Sequence, residues 1–160
     1  MRLALSFVMS LLIVRIGSGQ NVPSDSDVLE GASGAGMASY ADLNGYPGPK
    51  HILEMRDTLR LTDEQEKDIE AIFDEMSGNA RAKGEQVIAK EEELHARFKN
   101  GTASEPEVRR RAGEIGTLRG ELRAVHLTAH IQARRVLTKQ QIALYNTLRH
   151  GATHHASGAH

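Results

Sequence analysis

Leu61-Thr62-Asp63-Glu64-Gln65 has the form of a helix start, and the same Leu-Thr-x-x-Gln pattern returns at Leu137-Thr138-Lys139-Gln140-Gln141. In each, the Thr hydroxyl is placed to accept from the backbone N–H three residues on, while the Gln side chain reaches back to the Thr amide. Asp63 and Glu64 add negative charge where the helix end is positive. Downstream, Ile69, Ile72, Phe73, Met76, Ala80, Val87, Leu94 and Phe98 recur at threes, fours and sevens. That spacing predicts one apolar stripe on a long helix ending near Asn100-Gly101. Upstream, Pro49 to Leu59 reads as a short helix with Pro in its first turn and Ile52, Met55 and Leu59 on one side.

A further long helix starts at Ser104-Glu105-Pro106-Glu107, which has the form of another capping box. Its seam runs through Val108, Ile115, Leu122, Ala129 and Val136, with Leu118 and Val125 between. The seven-residue spacing predicts antiparallel pairing with the preceding long helix across a short turn at 100–103. Charge favours the same pairing: residues 63–99 carry 11 acidic and 6 basic side chains, whereas 104–136 carry 4 acidic side chains and 7 Arg. The Arg side reads either as a solvated face or as a binding surface. The second Leu-Thr-x-x-Gln pattern starts a last helix with Ile142, Tyr145 and Leu148 expected inward and His150-Gly151 closing it. The fold class is therefore all-α: a long antiparallel helical hairpin flanked by two short helices. Rods of about 50 Å leave much apolar surface unpaired in a lone hairpin, so a homodimer is the simplest completion. Gly78, Gly84, Gly113, Gly116 and Gly120 interrupt the rods at about 1 kcal/mol each relative to Ala, which predicts a soft hairpin.

A length of 160 residues with 39% hydrophobic content suits one domain with a modest core. Three Phe, three Tyr and no Trp favour thin packing by Leu, Ile, Val and Ala over a deep pocket. The absence of Cys excludes disulfides, thiolate metal sites and a Cys nucleophile. At the N-terminus, Met1-Arg2 precedes an apolar run from Leu3 to Val14, and Gly17-Ser18-Gly19 offers small residues before a cut at Gln20. Residues 1–19 read as a secretory signal peptide. The competing membrane anchor needs about 20 apolar residues, and Arg15 ends this run sooner. Residues 20–48, rich in Gly, Ser, Ala and Asp, read as a flexible leader; 49–150 as the helical domain; 151–160 as a disordered His-rich tail. Without residues 1–19 the chain holds 18 basic and 21 acidic residues, a balance that does not point to nucleic acid.

Paired Leu-Thr-x-x-Gln motifs flanking a long helical hairpin, behind an export signal, resemble the Spy/CpxP family of small bacterial periplasmic proteins, with its zinc-resistance-associated and heavy-metal-sensor relatives. The resemblance covers about residues 49–150 and rests on Leu61, Thr62, Gln65, Leu137, Thr138 and Gln141. His126, eleven residues before Leu137, also looks like a His at that place in Spy-like sequences. The resemblance implies a cradle-shaped helical dimer in the periplasm that binds unfolded or misfolded envelope proteins without ATP, or that senses envelope stress or metal alongside a sensor kinase or membrane regulator. The internal glycines and the composition of the tail depart from the family pattern.

No Gly-x-Ser-x-Gly, His-Glu-x-x-His or phosphate-binding Gly loop is present, so the residues suggest a binder and not an enzyme. Metal binding is the sharper chemical candidate. His126 and His130 lie four apart on a helix and can share an ion; His51 and Met55 repeat that spacing with a soft sulfur suited to copper. His150, His154, His155 and His160 sit among Gly, Ala, Ser and Thr and can gather around Zn, Cu or Ni. The competing reading is an end that only titrates near neutral pH. Leu127 and Ile131, off the main seam, read either as packing positions or as an extension of an apolar binding surface.

Overall fold

The chain is described here by a computed structural model over residues 37–151. The expected signal peptide, the first part of the leader and His154, His155 and His160 lie outside the described residues. Within them the order is α1 (Ser39–Leu43), α2 (Pro49–Glu54), α3 (Arg56–Leu59), α4 (Asp63–Lys99), α5 (Glu105–Val136) and α6 (Lys139–His150), with no strand. The all-helical class and the central hairpin agree with the sequence reading. At 37 residues, α4 is about 55 Å long and packs antiparallel on α5.

The ends of α3 and α4 show how the chain turns. At α4, Gly101 lies at φ +67°, its N–H donating to Phe98 O at 3.1 Å, while Thr102 N–H donates to Arg97 O at 3.0 Å. These two bonds satisfy carbonyls the helix leaves open and require a left-handed residue between them. The same wrap ends α3, where Arg60 N–H donates to Asp57 O and Leu61 N–H to Arg56 O. There the left-handed residue is Arg60, at φ 52°, which a Cβ makes costly.

The core sits at one end of the hairpin. Ile52, Leu59, Ile69, Ala133, Leu137 and Tyr145 form the buried cluster, drawn from α2, α3, the start of α4, the end of α5 and α6. Away from it, the seam narrows to Val87, Gly84, Ile115 and Leu122. Ion pairs then span the two rods: Lys83–Glu121 at 2.6 Å, Arg119–Glu91 at 2.7 Å and, near the turn, Arg111–Glu93 at 2.7 Å, with Arg111 also held by Glu107 of its own helix at 3.0 Å.

Several expectations are corrected. Pro49 to Leu59 is not one helix: it breaks at Met55, whose N–H is shared between His51 O and Ile52 O as the turn tightens. Ser104 makes no side-chain cap, and the Glu107 carboxylate that would complete the box is held by Arg111 and Arg97. Phe98 and Leu148, expected inward, are 59% and 50% exposed, since no element among the described residues covers the hairpin tip or that side of α6. The leader does not run loose to residue 48: Ser39–Leu43 is helical, and Gly45, Pro47, Gly48 and Pro49 are buried against the domain.

Candidate functional site

Both Leu-Thr-x-x-Gln motifs form complete capping boxes. Thr62 Oγ1 accepts from Gln65 N–H and Thr138 Oγ1 from Gln141 N–H, both at 3.2 Å, while the Gln carbonyls accept from the Thr amides at 3.2 and 2.9 Å. Leu137 is buried in the core cluster and Leu61 packs against it. The two boxes also meet. Gln65 Nε2 donates to Gln141 Oε1 at 3.0 Å, and Gln141 Nε2 to Gln65 Oε1 at 2.9 Å. The remaining amide proton of Gln65 goes to Val136 O at 2.9 Å, the last carbonyl of α5; that of Gln141 goes to Leu59 O at 3.2 Å, the last carbonyl of α3. Each Gln amide thus uses both donors and both lone pairs, and each motif closes the helix end that precedes the other. The sequence identified the caps but not this reciprocal clasp.

The candidate metal residues are distributed as follows. His130 is buried on α5, its Nδ1–H donating to Tyr46 O at 2.6 Å, which fixes the tautomer. Its Nε2 faces Gly48, where a Cβ would stand 3.0 Å from the ring and 3.7 Å from His51 Cδ2. His51 and His130 therefore converge on Gly48. The Nδ1 of His51 bonds Glu54 at 2.9 Å, and that bond holds the Glu54 carboxyl below its usual range. Met55 packs on the core cluster. Burial, with the neighbouring His130 second, pushes His126 below the ordinary imidazole range. His150 stands 3.4 Å from Asp42 on the far side of α6. Among the described residues no three His, Cys, Asp or Glu side chains gather where one ion could sit. Of the helix histidines, the His51 and His130 rings both lie beside Gly48.

One cluster was not anticipated. Tyr145, fully buried, donates its hydroxyl to Asp42 Oδ1 at 2.6 Å, and burial with that carboxylate drives the phenol far above its ordinary range. Asp42 Oδ2 faces Arg149 at 3.6 Å. The contact joins residues 103 apart and carries no local signature, so nothing in the sequence pattern marks it.

Between the long helices lies an open groove of about 410 Å³. Glu75, Met76, Asn79 and Lys83 of α4 line one side; Glu121, Ala124, Val125, Thr128, Ala129 and Gln132 of α5 line the other. Its walls mix Met, Ala and Val with charged and amide groups, and the Lys83–Glu121 bridge crosses it. No helix of the described residues is long and apolar enough to cross a membrane.

A helical hairpin bolted at one end by two interlocked Leu-Thr-x-x-Gln caps, with a shallow groove along its arms, defines the class of protein. The comparison with family models makes this specific. The LTXXQ motif family protein model matches residues 48–149, and the chain belongs to that family, which is of the Spy/CpxP type. No curated protein and no solved structure matches.

Proposed function

We propose that the chain is an ATP-independent periplasmic chaperone or envelope-stress adaptor that holds unfolded or misfolded envelope proteins along its hairpin. Family membership supports a Spy/CpxP-like periplasmic protein in general. The observation that carries the finer reading is the groove between α4 and α5, wide open and lined by short apolar and charged side chains together. Such a surface suits transient contact with many sequences better than capture of one small molecule in a closed pocket. A second copy of the chain, through the uncovered hairpin faces, would enlarge this surface, and a sensor kinase or membrane regulator would read its occupancy. The test is light scattering of a chemically denatured client diluted into buffer with the folded protein. Suppression at near-stoichiometric ratio, lost on Met76→Glu/Val125→Glu substitution, supports the proposal; no suppression by the folded protein refutes it.

A metal-binding role with Zn, Cu or Ni is the second reading, favoured by the convergence of His51 and His130 on Gly48. Calorimetric titration of the full chain, a His51→Ala/His130→Ala variant and a tail-deleted chain divides helix from tail binding. Equal, weak heats in all three dismiss it.

A further inference from the structure

The groove between α4 and α5 has two unlike ends. Because the helices run antiparallel, Glu75 and Gln132 stand at the end nearer the core cluster, and Lys83 and Glu121 at the end nearer the hairpin tip. The lining on α5 runs from Glu121 to Gln132, about 16 Å at the helical rise. An extended chain covers that length in about five residues. The floor is narrow and apolar: Met76 and Val125 are half-buried and Ala129 is buried, so small and medium apolar side chains suit it.

Charge on the walls is not balanced. Lys83 is the one cation among the lining residues, and Glu121 already holds it at 2.6 Å. Glu75, the other carboxylate of the lining, is exposed and makes no ion pair among the described residues. The same side of α4 carries the negative charge on toward the core, with Asp68 seven residues back and Glu64 eleven, close to whole helical turns. Neither of these is ion-paired among the described residues. On α5 the matching continuation is Arg135, seven residues beyond Thr128. Three carboxylates therefore stand against one guanidinium at the core end, while the tip end is neutralised by its own bridge.

We propose that the groove selects its clients by charge: its occupant is an extended stretch of about five small or medium apolar residues flanked by a Lys or Arg, which lies beside Glu75. The proposal rests on the chaperone reading and names the client class of that same groove. The apolar residues cover Met76, Val125 and Ala129, and the cation meets Glu75 and Asp68. A segment flanked by Asp or Glu sets carboxylate against carboxylate in that place and binds more weakly. Because these charges are exposed, each pair contributes a modest preference that salt screens.

The test uses the full chain and three dye-labelled, end-blocked peptides that share the stretch Leu-Ala-Val-Ala-Val and carry one Lys, one Gln or one Glu at each end. Fluorescence anisotropy at low salt is expected to rank them Lys, Gln, Glu, with the Lys peptide about three- to tenfold tighter than the Gln peptide. The gap is expected to close in about 0.5 M salt and in a Glu75→Gln/Asp68→Asn variant, and to reverse in Glu75→Lys. Circular dichroism of these variants is expected to match the wild-type chain, since Glu75 and Asp68 are exposed. In protein labelled at its methionine methyl groups, the Lys peptide is expected to shift the Met76 resonance and leave that of Met55, which packs on the core. If all three peptides bind alike, charge selection is overturned and the chaperone reading stands. A Lys preference that persists in Glu75→Lys, or that leaves the Met76 resonance in place, belongs to another surface and also overturns the proposal. Failure of every peptide to bind overturns it too, and light scattering with the denatured client then decides separately whether the chaperone reading survives.

Discussion

Replacing Gln65 with Ala removes two bonds to Gln141, one to the last carbonyl of α5 and one to the Thr62 amide. Hydrogen bonds of this kind contribute about 1 kcal/mol each, and a partly buried group left without its partner costs more than one that returns to water. Ala is the better helix former by a few tenths of a kcal/mol, which offsets a little of the loss. The expected net destabilisation is about 2–3 kcal/mol, or a fall in Tm of roughly 10 °C for a unit of this size. Gln141→Ala, its counterpart, is expected to cost a similar amount. The informative variant is the double one. Because the two mutual bonds are lost in either single variant, the double variant is expected to fall short of the sum by about 1–2 kcal/mol. Urea unfolding followed by circular dichroism at 222 nm gives all three values. Single-variant losses below about 0.5 kcal/mol, or strict additivity in the double variant, would refute the clasp as a mutual structure.

Arg60→Gly relieves the left-handed residue at the end of α3 and is expected to raise stability by about 0.5–1 kcal/mol, read from the urea midpoint. Arg111 is only 8% exposed and bridges Glu93 to Glu107; Arg111→Ala is expected to speed hydrogen exchange near the turn, over 90–112, while leaving the motif end protected. His126 is held below its ordinary value of 6.5, so the neutral ring is the folded form's preference. Its contribution is therefore complete above about pH 6.5 and lost as pH falls below that value, where the unfolded chain takes up the proton first. His126→Gln is expected to flatten the stability profile between pH 7 and 5.5, and an unchanged slope would reject this assignment.

What could be read from the sequence followed its range. Thr62 with Gln65, and Thr138 with Gln141, are three residues apart, and so their capping boxes were evident from spacing alone. The bonds between Gln65 and Gln141 cross 76 residues, and no periodicity encodes which atoms of a capped side chain remain free. The seam of α5 was legible at Ile115, Leu122 and Ala129 because a seven-residue spacing survives wherever another helix faces it. The stripe of α4 failed at Phe98, which lies at the tip of the hairpin and is exposed. Ser104 failed for a different reason: the Glu107 that a capping box required pairs with Arg111, one turn on in α5, and with Arg97 of α4. Asp42 was hidden by its neighbours, since a stretch rich in Gly, Ser and Ala gives no sign that one carboxylate within it is buried against Tyr145. Of the metal candidates, the spacing of His126 and His130 described a shared helix side but could not reveal that Tyr46 already holds the His130 Nδ1.

The hairpin has its apolar cluster and its clasp at one end, and cross-helix ion pairs between half-exposed side chains along the rest. It resembles a pair of tongs, with a bonded handle and prongs held by a thin apolar seam at Val87, Ile115 and Leu122 and trimmed by attraction through solvent. Such attraction fades as the Debye length shrinks from about 10 Å at 0.1 M to about 3 Å at 1 M. The charged outer rows of the prongs would then loosen as ionic strength rises while the seam and the handle stay shut, making the stiffness of the jaw depend in part on the surrounding medium.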